Sequence, residues 1–138
     1  MSPITAGTST YFLGVFTEPL NHLYLVDRLW FARFTGESYQ PSGLDEEVEP
    51  DRDQLLERID QQARRWVEFA TGVSGDSLSG TLNYRNTQGR KRSVNRAGAL
   101  QHVFNHGTHH RGQVSAGLTG LGREAPEMDL FYYLLEEA

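Results

Sequence analysis

The sequence predicts an all-α helical bundle interrupted by one small polar β-hairpin. Three observations carry that reading. Apolar residues recur at helical spacing in three long stretches. The only stretch with strand character, residues 81–95, is too polar to form a core sheet. A chain of 138 residues, 38% hydrophobic and 22% charged, suits one domain over residues 1–138 that buries a core without staples.

The elements follow in order. Residues 1–10 are rich in Ser, Thr and Gly and read as a loose N-terminal tail. Residues 11–34 are apolar and aromatic, and from Leu20 the spacing is helical: Leu20, Leu23, Tyr24, Asp27, Trp30/Phe31 and Phe34. Pro19 is awkward in mid-helix, so either Thr17 caps a helix starting there or the helix kinks. Gly36 is the expected stop. Residues 36–50, with two prolines and the acidic group Asp45, Glu46, Glu47 and Glu49, read as a solvated loop. A second helix is expected from Pro50 or Asp51 to about Thr71, with Leu55, Ile59, Ala63, Trp66, Val67 and Ala70 as its buried stripe. Residues 72–80 form a loop. Residues 81–95 form the hairpin, turning at Thr87-Gln88-Gly89. A third helix spans about residues 95–121, with Ala99/Leu100, Val103, His106/Gly107, His110, Val114 and Leu118/Leu121 facing inward. Gly122 ends it, and residues 128–135 supply a short final apolar helix.

Composition narrows function. Thirteen Lys and Arg against eighteen Asp and Glu give a net charge of −5, the wrong sign for a dedicated nucleic-acid module. The absence of cysteine removes disulfides, Cys-ligated zinc, iron–sulfur clusters and a cysteine nucleophile. No apolar run approaches the ~20 residues of a membrane span, and the Met-Ser-Pro start has no signal-peptide pattern. A cytoplasmic protein is expected, with neither nucleic acid nor membrane as partner.

Four of the five histidines fall between His102 and His110. On a helix, His102, His106 and His110 lie at i, i+4 and i+8 on one face, and an adjacent pair can converge on one metal ion. All three cannot, since the outer two stand ~12 Å apart along the axis. A third ligand must come from another helix. His22 is the only other histidine, on a face shared with Val26 and Leu29 that points inward. The plainer readings are a histidine hydrogen-bonded in the core and a surface cluster with incidental metal affinity. No His-Glu-x-x-His is present, so the usual metalloprotease base is absent.

Two stretches carry a family resemblance. Asn21-His22-Leu-Tyr-Leu-Val-Asp27-Arg28-Leu-Trp30 resembles the second-helix motif of the DinB/YfiT-like family, which is distinct from the DNA polymerase of similar name. His102-Val-Phe-Asn105-His106-Gly-Thr-His109-His110-Arg111-Gly112-Gln113 resembles its third-helix signature, and the end of the chain fits as well. The resemblance spans roughly residues 9–135. It implies an up-down-down-up four-helix bundle, usually a homodimer, with a divalent metal, commonly nickel or zinc, held by three histidines. Carried over, these are His22, His106 and His110. His102 then lies at the site's edge and His109 on another face. Family members begin with a further helix before the residues matching 11–16, so here the first helix is expected to be missing or shortened, and the face it exposes to be covered by a partner chain.

Three neutral imidazoles leave the ion its +2 charge and an open position, as in catalytic rather than structural sites. Such a centre activates a bound water or thiol. The family resemblance implies a metal-dependent transferase drawing its thiol from a low-molecular-weight donor, since the chain has no cysteine of its own. The alternatives are a metal-dependent hydrolase of a small substrate, a non-catalytic metal-binding stress protein, and a metal-free bundle. Glu18, one turn before His22, is the candidate acid/base. Asp27 reads as structural, paired with an Arg or a backbone group. Asn105, Arg111 and Gln113 read as packing and supporting hydrogen bonds. Tyr11, Phe12, Tyr24, Trp30 and Phe104 are either pocket lining or plain core. Arg85, Arg90, Lys91, Arg92 and Arg96 form a basic patch, either simply solvated or able to attract an anionic substrate.

Overall fold

The computed structural model describes residues 6–137, with side chains from Phe16 onward. Its elements are α1 (Ala6–Thr35), α2 (Arg52–Gly72), α3 (Gly75–Leu78), β1 (Thr81–Arg85), β2 (Lys91–Asn95), α4 (Arg96–Gly120) and α5 (Leu130–Glu136). Helix α1 is the spine of the bundle: α2 and α4 both pack on it, and the hairpin rests on α1 and α4. None of the described helices is long and apolar enough to cross a membrane.

Helix α1 differs from expectation at its start. It is already helical at Ala6, inside the stretch expected to be a loose tail, and residues 1–5 lie outside the described residues. It continues through Pro19, so Thr17 does not cap a new helix there. Proline costs a helix one N–H and crowds the preceding turn, but burial of the face from Leu23 to Phe34 outweighs that loss. Thr35 hydrogen-bonds back to Phe31, and Gly36, at φ +79°, ends the helix where a side chain would be strained. No separate helix precedes α1 among the described residues.

Helix α2 starts on Asp51, whose carboxylate caps Gln54 N at 2.9 Å. Its buried line is Leu55, Gln62 and Trp66, with Ile59 and Phe69 half-buried. Ala63 and Ala70 are exposed, and Val67 is 67% exposed, so that part of the predicted stripe is wrong. One residue on a helix is a rotation of 100°, which carries 63, 67 and 70 off the side that α1 covers. Helix α4 is capped by Asn95 on Gly98 N and buries Ala99, Val103 and Gly107. Of its predicted stripe, only Leu121 stands clear of the core, at 51% exposure. The central cluster joins Phe31, Phe34, Trp66, Leu82, Ala99 and Val103. Leu82 is the hairpin's anchor in it.

The hairpin pairs antiparallel from Thr81↔Asn95 to Arg85↔Lys91. Its turn is held by Asn86 Oδ1, which accepts from Gln88 N and Arg90 N, and Gly89 supplies φ +76°. Helix α5 is capped by Asp129, and every side chain from Leu130 to Leu135 is more than half exposed.

The segment 36–50 is the loop expected, exposed or half-buried except at Glu49, but it is tied down there. Asn21 on α1, 2% exposed, donates to Glu49 O at 2.9 Å and accepts from Glu49 N at 2.8 Å. The Glu49 carboxylate is buried and paired with Arg58 at 2.8 Å. The segment is therefore strapped across α1.

A candidate metal centre

His22 projects from α1, and His106 and His110 from α4. Their ligand atoms all lie within 4.8 Å of one another. The ring centroids are 4.4 Å apart for His106–His110, 4.8 Å for His22–His110 and 5.7 Å for His22–His106. The Nε2 atoms of His106 and His110 are 3.1 Å apart. Nitrogens sharing one ion at bonds of ~2.0–2.1 Å stand about 3–3.4 Å apart. The pair from α4 already has that spacing, and α1 brings the third donor.

Hydrogen bonds to the outer ring nitrogens aim the donors. His22 Nδ1 donates to the Leu44 carbonyl at 2.9 Å. His110 Nδ1 donates to Gln113 Oε1 at 2.8 Å. Both rings thus keep Nε2 bare of hydrogen and turned inward. His106 is held well below the usual imidazole range, at about 4, first by burial and then by the neighbouring His110, His102 and His22. Burial also lowers His110, while Gln113 works the other way. Both shifts favour neutral ligands. This donor set fits a divalent ion: three imidazoles, two of them oriented by hydrogen bonds and the α4 pair biased towards the neutral form.

A cavity of about 820 Å³ opens beside the cluster. His22 and His110 form part of its wall, as do Glu18, Leu44 and Gln113. Its charged lining is otherwise acidic: Glu18, Asp45, Glu46 and Glu47. Residues Arg85, Arg90, Lys91, Arg92 and Arg96 are absent from this wall, so the basic patch does not border the site. Arg85 and Arg92 instead turn to carbonyls of their own hairpin, and Arg96 to Phe34 O.

The remaining candidates fall as follows. His102 is exposed, its ring 5.5 Å from His106 and 5.3 Å from Trp30, at the edge of the cluster. His109 is exposed, 5.1 Å from His110, and shares Gln113 with it. Trp30 stacks on Tyr84, and Phe104 on Trp66, so both serve packing rather than the cavity. Tyr24 does not line the cavity either, while the side chains of Tyr11 and Phe12 lie outside the described residues. Asn105 is exposed. Arg111 folds over Gly107, where a Cβ would come within 2.9 Å of its Nη1, and faces Asp27. Burial pushes the Asp27 carboxyl up to about 6, against the pull of Arg111 and of the Trp66 indole. Two contributors escaped sequence reasoning. The Leu44 carbonyl is backbone and carries no residue signature. Asn21 stood in the quoted motif, but nothing in the sequence says which segment it holds.

The chain matches no curated protein and no solved structure. The family model for the DinB family matches residues 9–137. With that match over nearly the whole chain, and a helical bundle bringing together a three-histidine group, the protein belongs to the DinB family.

Proposed function

We propose that His22, His106 and His110 hold one divalent ion, nickel or zinc, and that the protein is a metal-dependent transferase using a low-molecular-weight thiol. The observation that carries this is the convergence of three imidazoles from two helices on the wall of an open cavity. A structural metal site is closed by its protein ligands, whereas this one borders space for a substrate. The ion, when bound, supplies Lewis acidity that favours the thiolate form of a thiol reaching it.

The chain's own groups do the rest. Gln113 and the Leu44 carbonyl keep the imidazoles aimed. Glu18, exposed on the cavity wall one turn before His22, receives the proton that the incoming thiol gives up. The acidic lining favours a substrate that is neutral or positively charged over an anion. A homodimer is part of this reading, supported by the exposed apolar side chains of α5, which a second copy can cover.

The test is elemental analysis of untagged protein beside the His106→Ala variant. About one nickel or zinc per chain, lost in the variant, is the expected result. No metal after reloading with either ion refutes the proposal. With metal established, Glu18→Gln is expected to lower thiol-transfer turnover while leaving metal content unchanged.

A further inference from the structure

The strap formed by segment 36–50 meets the histidine cluster through the hydrogen bond from His22 Nδ1 to the Leu44 carbonyl at 2.9 Å. A carbonyl only accepts, so this bond fixes the proton on Nδ1 and leaves Nε2 as the free donor atom. What keeps that carbonyl in place is a second set of bonds, made by the residue before His22. Asn21, adjacent to His22 in sequence and beside it on the cavity wall, is almost wholly buried. Its amide makes three hydrogen bonds. It donates to Thr17 O at 3.0 Å and to Glu49 O at 2.9 Å, and it accepts from Glu49 N at 2.8 Å. Asn21 thus pairs with both backbone groups of Glu49, as a neighbouring strand would. The Glu49 side chain is clamped in turn, to Arg58 at 2.8 Å and to Asp51 N at 3.1 Å. Four residues separate this double anchor from Leu44.

We propose that Asn21 is a positioning residue of the histidine site: by clamping Glu49 it holds the Leu44 carbonyl over His22 and so selects the tautomer that presents Nε2 to His106 and His110. Two neighbouring residues of α1 divide the work. His22 faces the cavity, and Asn21 secures the segment that orients it. The inference rests on the metal reading above only for its effect on affinity. The tautomer is a property of the metal-free protein and is measured without any ion.

Two readouts test it. Nitrogen-15 NMR of metal-free protein is expected to show His22 protonated at Nδ1, and to show that preference lost in Asn21→Ala. Zinc affinity, measured by competition with a chromophoric chelator, is expected to fall about ten- to a hundredfold in the same variant, the usual effect of losing a group that orients a ligand. Leu82→Ala, which opens the central cluster at the hairpin, is the control for simple destabilisation. It is expected to leave both the tautomer and the zinc affinity within about twofold of wild type. Should Asn21→Ala fail to fold, Asn21→Ser replaces it, its hydroxyl one bond too short to serve both groups of Glu49. A folded Asn21 variant that keeps His22 protonated at Nδ1 overturns the inference, as does an equal loss of affinity in Leu82→Ala. A wild-type protein that binds no zinc refutes the metal reading instead, and the tautomer comparison still decides the role of Asn21.

Discussion

Asp27 is a carboxylate placed where it weakens the fold. It is mostly buried between α1 and α4, and its pKa rises from 3.8 to about 6 because burial outweighs the attraction of Arg111. In the unfolded chain the group titrates near its ordinary value, ~3.9. Below about pH 4 both states are protonated and Asp27 has no effect. Between about pH 4 and 6 the unfolded state releases its proton while the folded state keeps it, so stability falls as pH rises. Above about pH 6 both are ionised and the cost is complete. A rise from 3.8 to about 6 corresponds to about 3 kcal/mol, and with the group partly reached by solvent we expect about 1–3 kcal/mol. Asp27→Asn keeps the shape and removes the charge. The variant is expected to be more stable than wild type by that amount at pH 7.5, a rise in melting temperature of about 3–10 °C for a domain of this size. The advantage is expected to fade towards zero at pH 4. Thermal unfolding followed by far-ultraviolet circular dichroism, on chelator-treated protein at several pH values, gives the difference directly. A variant less stable than wild type at pH 7.5, or a gain independent of pH, refutes the reasoning, since the Arg111 attraction would then exceed the cost of burial.

Other expectations are simpler. His106 shifts the opposite way, down to about 4, so its own contribution to the stability of the metal-free protein is expected to be lost as pH falls from about 6.5 to 4, opposing the gain from Asp27. His106→Asn removes that loss, so its stability relative to wild type should rise as pH falls in the same melts, and a difference independent of pH counts against the buried, neutral imidazole. Gly117 lets α4 approach α1 so closely that a Cβ would sit 2.9 Å from the Phe16 ring. Gly117→Ala is expected to cost about 1–3 kcal/mol by overpacking, despite alanine's better helix propensity, and a higher melting temperature would contradict this. The acidic cavity is tested with cobalt-loaded protein and two thiol probes, cationic cysteamine and anionic 3-mercaptopropionate, by their thiolate-to-cobalt absorption. A unit charge at about 8 Å in a water-like dielectric contributes about 0.5 kcal/mol. Neutralising Asp45, Glu46 and Glu47 together should therefore shift the preference for cysteamine by about tenfold or more, and an unchanged ratio removes the charge argument.

Much of this architecture is written in local signals. Asp51 and Asn95 announce α2 and α4 because a short acceptor side chain before an apolar period satisfies the first-turn N–H groups. Gly89 and Asn86 mark the hairpin turn for the same local reasons. The histidines at 106 and 110 are legible because a helix places i and i+4 on one face. Spacing alone left His102–His106 as an equal alternative, and the family resemblance, not the helix geometry, chose between the pairs. What failed depends on tertiary contacts. Ala63, Val67 and Ala70 are as apolar as buried residues, but which flank of α2 is covered depends on where α1 lies. Pro19 argued for a break, because the burial that carries α1 past it is invisible in a local window. Glu49 alone of the acidic group is buried, and nothing local marked it, because its anchors, Asn21 and Arg58, are distant in sequence.

The separation of charge has a practical consequence. The basic side chains of β1, β2 and their turn stay outside the wall of the histidine cavity, whose own charged rim is acidic. A molecule of net charge −5 can therefore still be gripped by a negatively charged resin or electrode through Arg85, Lys91 and Arg92. Held by those residues, it would keep the contact off the side chains that line the histidine cavity, which suits immobilised assays that add metal and small molecules from solution.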